Sequence, residues 1–178
     1  LPTYDGAMKL SSDANHKVRG YGLYLQDQLS LGDWHLVGGL RRDDFTVTSR
    51  RNDLDKEETP SVTSLSPRLG LVWNPLEDHA FYTSYSKTFT PVGGELIGIT
   101  PGDKNNSLDP QNTRLYEGGV KSDWLDGRLA TTLSLYRLEM YNKRSKDPLD
   151  PTKVTLTGLQ RTDGIELSAR AQLTDELY

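Results

Sequence analysis

Gly22-Leu23-Tyr24-Leu25-Gln26-Asp27-Gln28-Leu29-Ser30-Leu31 puts Leu23, Leu25, Leu29 and Leu31 on a period of two, with Tyr24, Gln26, Gln28 and Ser30 between them. Such alternation marks a strand with one apolar and one polar face; only Asp27 breaks it, and a helix would repeat at 3.6. Gly32-Asp33 is a short turn, and Trp34 to Thr48 continues as a second strand rich in Leu, Val, Phe and Thr. The pair reads as a hairpin.

The same pattern extends along the chain. Leu65, Pro67, Leu69, Leu71 and Trp73 share one face, opposite Ser66, Arg68, Gly70 and Val72. Asn74-Pro75-Leu76-Glu77-Asp78 reads as a turn. Strands are expected at His79–Thr90, Thr113–Trp124 and Leu129–Tyr141, the last two joined at Leu125-Asp126-Gly127. A seventh strand sets Ile165, Leu167, Ala169, Ala171 and Leu173 against Glu166, Ser168, Arg170 and Gln172. The first 17 residues are polar and irregular, with strand character from Val18. Residues 50–63, 91–111 and 142–157 read as long polar loops.

Connections thus alternate between turns of two to five residues and loops of about 14 to 21. Long loops inside a compact domain are uncommon unless they are functional. An up-and-down barrel in an outer membrane places short turns on one side and long loops on the other. Several expected strands run 10 to 15 residues, enough for the ~9–11 that cross a bilayer at a tilt. Trp34, Trp73 and Trp124 each sit beside a short turn, where an aromatic girdle lies in such barrels.

Composition agrees with this reading. Hydrophobic residues make up 34% of the 178 and mean hydropathy is −0.64. Those values rule out an ordinary helical membrane protein but not a barrel, whose alternating strands hide their apolar face from any average. The net charge of −4 argues against a nucleic-acid partner, which selects a basic face. The absence of cysteine excludes disulfides and thiolate chemistry in this chain. Leu1-Pro2-Thr3-Tyr4-Asp5 has neither an initiator Met nor a signal-peptide pattern, and reads as the start of an excised piece.

Several motifs together carry a family resemblance. Tyr21 to Leu29 with Trp34-His35-Leu36-Val37-Gly38-Gly39-Leu40-Arg41, then Ser66-Pro67-Arg68-Leu69-Gly70-Leu71-Val72-Trp73-Asn74-Pro75, resemble barrel strands of TonB-dependent siderophore receptors. Phe81-Tyr82-Thr83-Ser84-Tyr85-Ser86-Lys87-Thr88-Phe89-Thr90-Pro91 looks like the strand that follows. Leu108-Asp109-Pro110-Gln111, Tyr116-Glu117-Gly118-Gly119-Val120-Lys121 and Gly164-Ile165-Glu166-Leu167 continue the series in order. The resemblance implies an all-β antiparallel up-and-down meander of about seven long strands, part of a 22-stranded transmembrane barrel. Residues 1–17 would be a loop or incomplete strand, and 18–178 a partial barrel without its plug domain. It further implies import of a ferric siderophore across the bacterial outer membrane, with no bound cofactor. The partners would be the siderophore, the TonB complex (through the missing plug region) and outer-membrane lipid. The competing class is a soluble all-β module that recognises carbohydrate or protein.

Candidate site residues follow from position. Arg50, Arg51, Tyr141, Lys143, Arg144 and Lys146 lie in or beside the expected outer loops. Basic and aromatic groups there suit an anionic chelate with planar parts. Arg68, Glu117, Lys121, Glu166 and Arg170 fall opposite apolar positions and would face a wet lumen and its plug. No catalytic motif occurs. His16 is expected in the leading loop, and His35 and His79 as polar strand residues near an interface. Asp103-Lys104-Asn105-Asn106-Ser107 starts like a calcium loop but has Leu108 where its glycine belongs and Arg114 where its bidentate Glu belongs.

Overall fold

The computed structural model describes residues 14–52, 55–90, 110–146, 148–149 and 154–172, and among these there is no helix. The strands are β1 (Ala14–Leu31), β2 (Trp34–Arg51), β3 (Lys56–Glu58), β4 (Ser61–Leu76), β5 (His79–Thr90), β6 (Gln111–Trp124), β7 (Leu129–Lys146) and β8 (Val154–Ala171). All pairings are antiparallel, in the order β1-β2-β4-β5-β6-β7-β8, and only β2–β4 passes over an intervening strand, the short β3. Short β3 pairs with the end of β2 along the edge that β4 also uses, and the Val47 amide donates to Pro60 O at 2.9 Å between them. In effect β3 and β4 are one strand interrupted at Thr59-Pro60.

The strands are longer than the sequence pattern indicates. β1 starts at Ala14, so His16 lies in a strand opposite Ser49 rather than in a leading loop. The expected loop at 50–63 is mostly strand: β2 runs to Arg51, and β3 and β4 begin at Lys56 and Ser61. The expected loop at 142–157 likewise shrinks, with β7 reaching Lys146 and β8 starting at Val154. Asn74-Pro75 is an irregularity inside β4, and Glu77-Asp78 makes the turn. Most of the loop at 91–111, with the calcium-like segment, lies outside the described residues, as does Leu173.

Cross-strand partners point to the same side of a sheet, so register assigns every side chain to a face. One face carries Leu25, Leu36, Leu40, Leu69, Leu71, Phe81, Val120, Leu133, Leu135, Ile165 and Leu167. Leu69, mid-sheet, is still 53% exposed, and Val47 is the one buried hydrophobic among the described residues. The sheet therefore has an apolar face and no core beneath it.

That apolar band runs obliquely to the strands. The row Leu31, Trp34, Trp73, Phe81, Val120, Leu133 and Leu167 crosses the sheet in register. Above it the apolar run reaches Leu23 on β1, eight residues from Leu31, but only Ile165 on β8, two residues from Leu167. Below it the run continues on β6, β7 and β8 to Trp124, Leu129 and Ala171. The upper margin thus slips six residues over six strand-to-strand steps. One residue (~3.4 Å) per strand spacing (~4.8 Å) is a slant of about 35°, which is the strand tilt of a closed barrel.

Tryptophans mark the end with the short turns. Trp34 stacks on Trp73 at 5.3 Å, Trp73 meets Phe81 at 5.7 Å, and His79 meets Trp124 edge-on at 5.0 Å. His35 Nδ1 is hydrogen-bonded to Ser30 Oγ at 2.8 Å across the first hairpin. The ring contacts of Trp34, Trp73, Phe81, His79 and Trp124 form an aromatic row along one margin of the apolar band, where amphipathic rings favour an interface.

Candidate functional site

The opposite face is polar and holds Arg68, Glu117, Lys121, Glu166 and Arg170, whose partners in the ladders are Gly39, Ser84, Ala80, Ser134 and Ala130. Three of the five converge. Tyr82 donates its hydroxyl to Glu117 Oε1 at 2.6 Å, and Lys121 Nζ lies 5.4 Å from the centre of the Tyr82 ring. Tyr82, Gly119, Ser134 and Glu166 form one register row across β5–β8, so Glu166 stands two strands from Gly119 on the same face. The result is two carboxylates, one ammonium and a phenol around buried Ser134. Arg68 is apart from them on β4, and Arg170 sits near the turn end of β8.

Glycines shape this cluster. A Cβ on Gly119 would lie 2.5 Å from Leu133 O and 2.8 Å from the Tyr82 ring, so the ring lies flat over a position that only glycine leaves open. Tyr136 covers Gly164 in the same way. Sequence reading missed both pairs, although a Tyr with a Gly at its partner position on the next strand is their signature.

Arg41-Arg42-Asp43-Asp44 makes two ion pairs on opposite faces. On the polar face Arg41 grips Asp43, with Nε to Oδ2 at 2.8 Å and Nη2 to Oδ1 at 2.7 Å, and Asp43 is only 2% exposed. On the other face Arg42 Nε donates to Asp44 Oδ2 at 3.1 Å and Thr63 Oγ1 to Asp44 Oδ1 at 2.6 Å. Asp44 lies beyond the apolar band, and the Thr63 hydroxyl, with Arg42 second, holds its carboxyl below the usual range.

The six loop-end candidates reach the same end of the sheet but not one site. Arg50 pairs with Asp55 at 3.7 Å at the end of β2, with Arg51 next to it opposite Lys56. Four strands of the sheet order away, Tyr141 donates to Glu139 at 2.8 Å and accepts from Arg114 Nη1 at 3.3 Å. Asn142, at φ 57°, interrupts the β7–β8 register, and Lys143 Nζ donates to Gln160 at 3.2 Å. Arg144 and Lys146 follow along the β7 backbone, opposite Leu156 and Val154.

Between β4 and β5 the ladder stops at Arg68–Ser86. Pro67 is next in line and brings no N–H to the ladder. Above that point the upper parts of β4 and β5 separate, leaving a hollow of about 280 Å³ whose lining includes Gln26, Gly39, Arg68 and Ser86.

Residues 1–178 match the family described as TonB dependent receptor-like, beta-barrel. The chain belongs to that family. It is 33% identical over 174 residues to the metal-pseudopaline receptor CntO of Pseudomonas aeruginosa, covering 93% of this chain and 24% of that protein. The ferrioxamine B receptor of Salmonella typhimurium is 31% identical over 94% of this chain and 23% of its own length. The crystal structure of the siderophore receptor PiuA from Acinetobacter baumannii superposes with a TM-score of 0.68 at 28% identity, covering 92% of this chain and 24% of that one. The ferric citrate transporter FecA in its unliganded form shares the fold, with a TM-score of 0.74 at 22% identity over 93% of this chain and 25% of that one. The TonB-dependent receptor segment thus spans about a quarter of the length of the curated relatives it matches.

Proposed function

We propose that this segment is part of the wall of a bacterial outer-membrane receptor that binds a ferric siderophore and imports it with energy delivered through TonB. The observation that carries the reading is the slanted apolar band on a coreless sheet, in a chain whose relatives are named as receptors. A soluble module would need a second layer over Leu36, Leu69 and Leu135; a bilayer supplies that layer instead.

On this reading residues 18–178 belong to the barrel, and the polar face looks inward on a plug domain that also makes the contact with TonB. Glu117 and Glu166 offer carboxylates to cationic plug residues, while Lys121, Arg68 and Arg170 offer charge to anionic ones. Such pairs hold a plug at rest and are broken when force is applied to it. Arg50, Lys143 and Tyr141, with Arg51, Arg144 and Lys146 beside them in the chain, lie at the strand ends that this reading puts at the cell exterior, where basic and aromatic residues suit an anionic chelate. The chelate is cargo, and no reaction is catalysed on it.

Uptake of iron-55 as ferric siderophore by cells with and without the gene tests this. Uptake that vanishes on deletion, and on collapse of the proton-motive force, is expected. Uptake that survives both contradicts the proposal.

A further inference from the structure

The upper end of β5 does not stay in line with β4. Register puts Lys87 and Phe89 on the same side of β5 as Tyr85, the apolar side of the sheet. Phe45 stands two residues from Asp43 on β2, on the polar side. Yet the Phe45 and Phe89 rings meet edge-on with centres 5.7 Å apart. The apolar side of β5 reaches the polar side of β2 only if residues 87–90 lie over the polar face, inside β4. The hollow of about 280 Å³ is the space left between the two layers, lined by Lys87 and Thr88 from β5 and by Tyr24, Gln26 and Arg41 from β1 and β2.

This overlap has a buried side of its own. Val47 is 7%, Ser64 6% and Asp43 2% exposed, and all three belong to the polar side of β2 and β4 near Phe45. The Phe45 ring also rests on Gly20, where a Cβ would come within 2.6 Å of it.

The same strands are built for a second arrangement. β4 begins at Ser61 and β5 ends at Thr90, so both stay extended past the last rung, Arg68–Ser86. Continuing that register pairs Pro67, Ser66, Leu65 and Ser64 with Lys87, Thr88, Phe89 and Thr90. The change gains backbone hydrogen bonds, each of modest net value, and turns Phe89 away from Phe45. It loses the aromatic contact and exposes Val47. Small opposing terms of this kind make an element bistable.

We propose that residues 87–90, with β6 paired to them, form a hinged flap of the barrel wall that switches between these two arrangements, an inference that rests on the outer-membrane receptor reading above. Lapped, as in the structure, the flap narrows the mouth of the lumen and covers Ser64 beside the Arg41–Asp43 pair. Zipped onto β4, it completes the wall and opens that part of the polar face to the cell exterior. Pro67 and Ser86 mark the hinge, and Phe45 with Phe89 is the catch.

The test uses the intact receptor in outer-membrane vesicles, in a background without other cysteines. Ser64→Cys with Thr90→Cys sets two thiols at partner positions of the zipped ladder, where a Cα spacing of about 5 Å suits a disulfide. Under copper phenanthroline the bond should form slowly, and about fivefold faster when Phe89→Ala removes the catch, the scale of a lost aromatic pair. Phe89→Tyr should keep the slow rate. Ser64→Cys alone should react with a water-soluble maleimide about fivefold faster with Phe89→Ala. Ser134→Cys, buried on the polar face away from the flap, should not change. Compact migration before heating confirms that each variant is folded. Absence of the disulfide in every background, an equal rate with and without Phe89→Ala, or unchanged labelling of Ser64→Cys overturns the proposal. Iron uptake that fails the test above while these rates differ as expected contradicts the import reading alone.

Discussion

Tyr82 and Glu117 are joined by a 2.6 Å hydrogen bond that runs diagonally across the β5–β6 ladder, with the Tyr82 ring spread over Gly119. The bond ties the phenol to the Glu117 carboxylate on the polar face, and Lys121 Nζ lies 5.4 Å from the centre of the same ring. Gly119 is the residue that permits this, because only a missing Cβ lets the ring lie against the strand.

Gly118 and Gly119 should therefore respond differently to the same substitution. A Cβ on Gly119 collides with Leu133 O and the Tyr82 ring, whereas one on Gly118 meets only Tyr82 O at an ordinary 3.7 Å. Gly119→Ala should cost about 1–3 kcal/mol through overpacking, and Gly118→Ala should be close to neutral. Thermal unfolding of the intact receptor in detergent distinguishes them; equal midpoints would show that the ring does not occupy this place.

Arg41 and Arg42 should also differ, although adjacent and each paired two residues on. Arg41→Ala strips the partner from a carboxylate that is 2% exposed, and a buried charge without a partner is costly. Arg42→Ala breaks a pair whose two side chains are 61% and 46% exposed, which contributes little. The unfolding midpoint should fall further for Arg41→Ala than for Arg42→Ala, and the reverse order would contradict the face assignment.

The strands were legible in the sequence where they cross the apolar band and illegible where they leave it. Leu23 to Leu31 alternates because it crosses the apolar band; Ser49 to Arg51, Lys56 to Glu58 and Asn142 to Lys146 extend the strands with runs of polar residues. Without a contrast between the faces there is no period of two to detect. Alternation also placed Arg68, Glu117, Lys121, Glu166 and Arg170 opposite the apolar residues. It could not show that Glu117, Lys121 and Glu166 meet around Tyr82, because that depends on the stagger between strands far apart in sequence. The break beside Pro67 was hidden for a related reason, since a proline reveals a lost donor but not which neighbouring ladder needed it.

That break predicts a local difference in backbone protection. Among the described residues, amides of 87–90 on the β4-facing edge and of 64–66 on the β5-facing edge lack a ladder partner above Arg68–Ser86. In hydrogen exchange of the intact receptor they should exchange well ahead of those in 69–73 and 81–85, where the ladder is formed. Uniform protection along both strands would show that the ladder closes.

The central claim is that one face of this sheet meets lipid and the other does not. This segment has no cysteine, so single spin-labelled cysteines at Thr132, Leu133, Ser134, Leu135, Ile165, Glu166 and Leu167 can report each position of the intact receptor in a bilayer. Collision rates with oxygen, which concentrates in lipid, should be high at Leu133, Leu135, Ile165 and Leu167 and low at Thr132, Ser134 and Glu166. A water-soluble nickel chelate should not reach the first four. An alternation of the opposite phase, or nickel access to Leu133, Leu135, Ile165 and Leu167, would contradict the lipid-facing assignment and the barrel reading built on it.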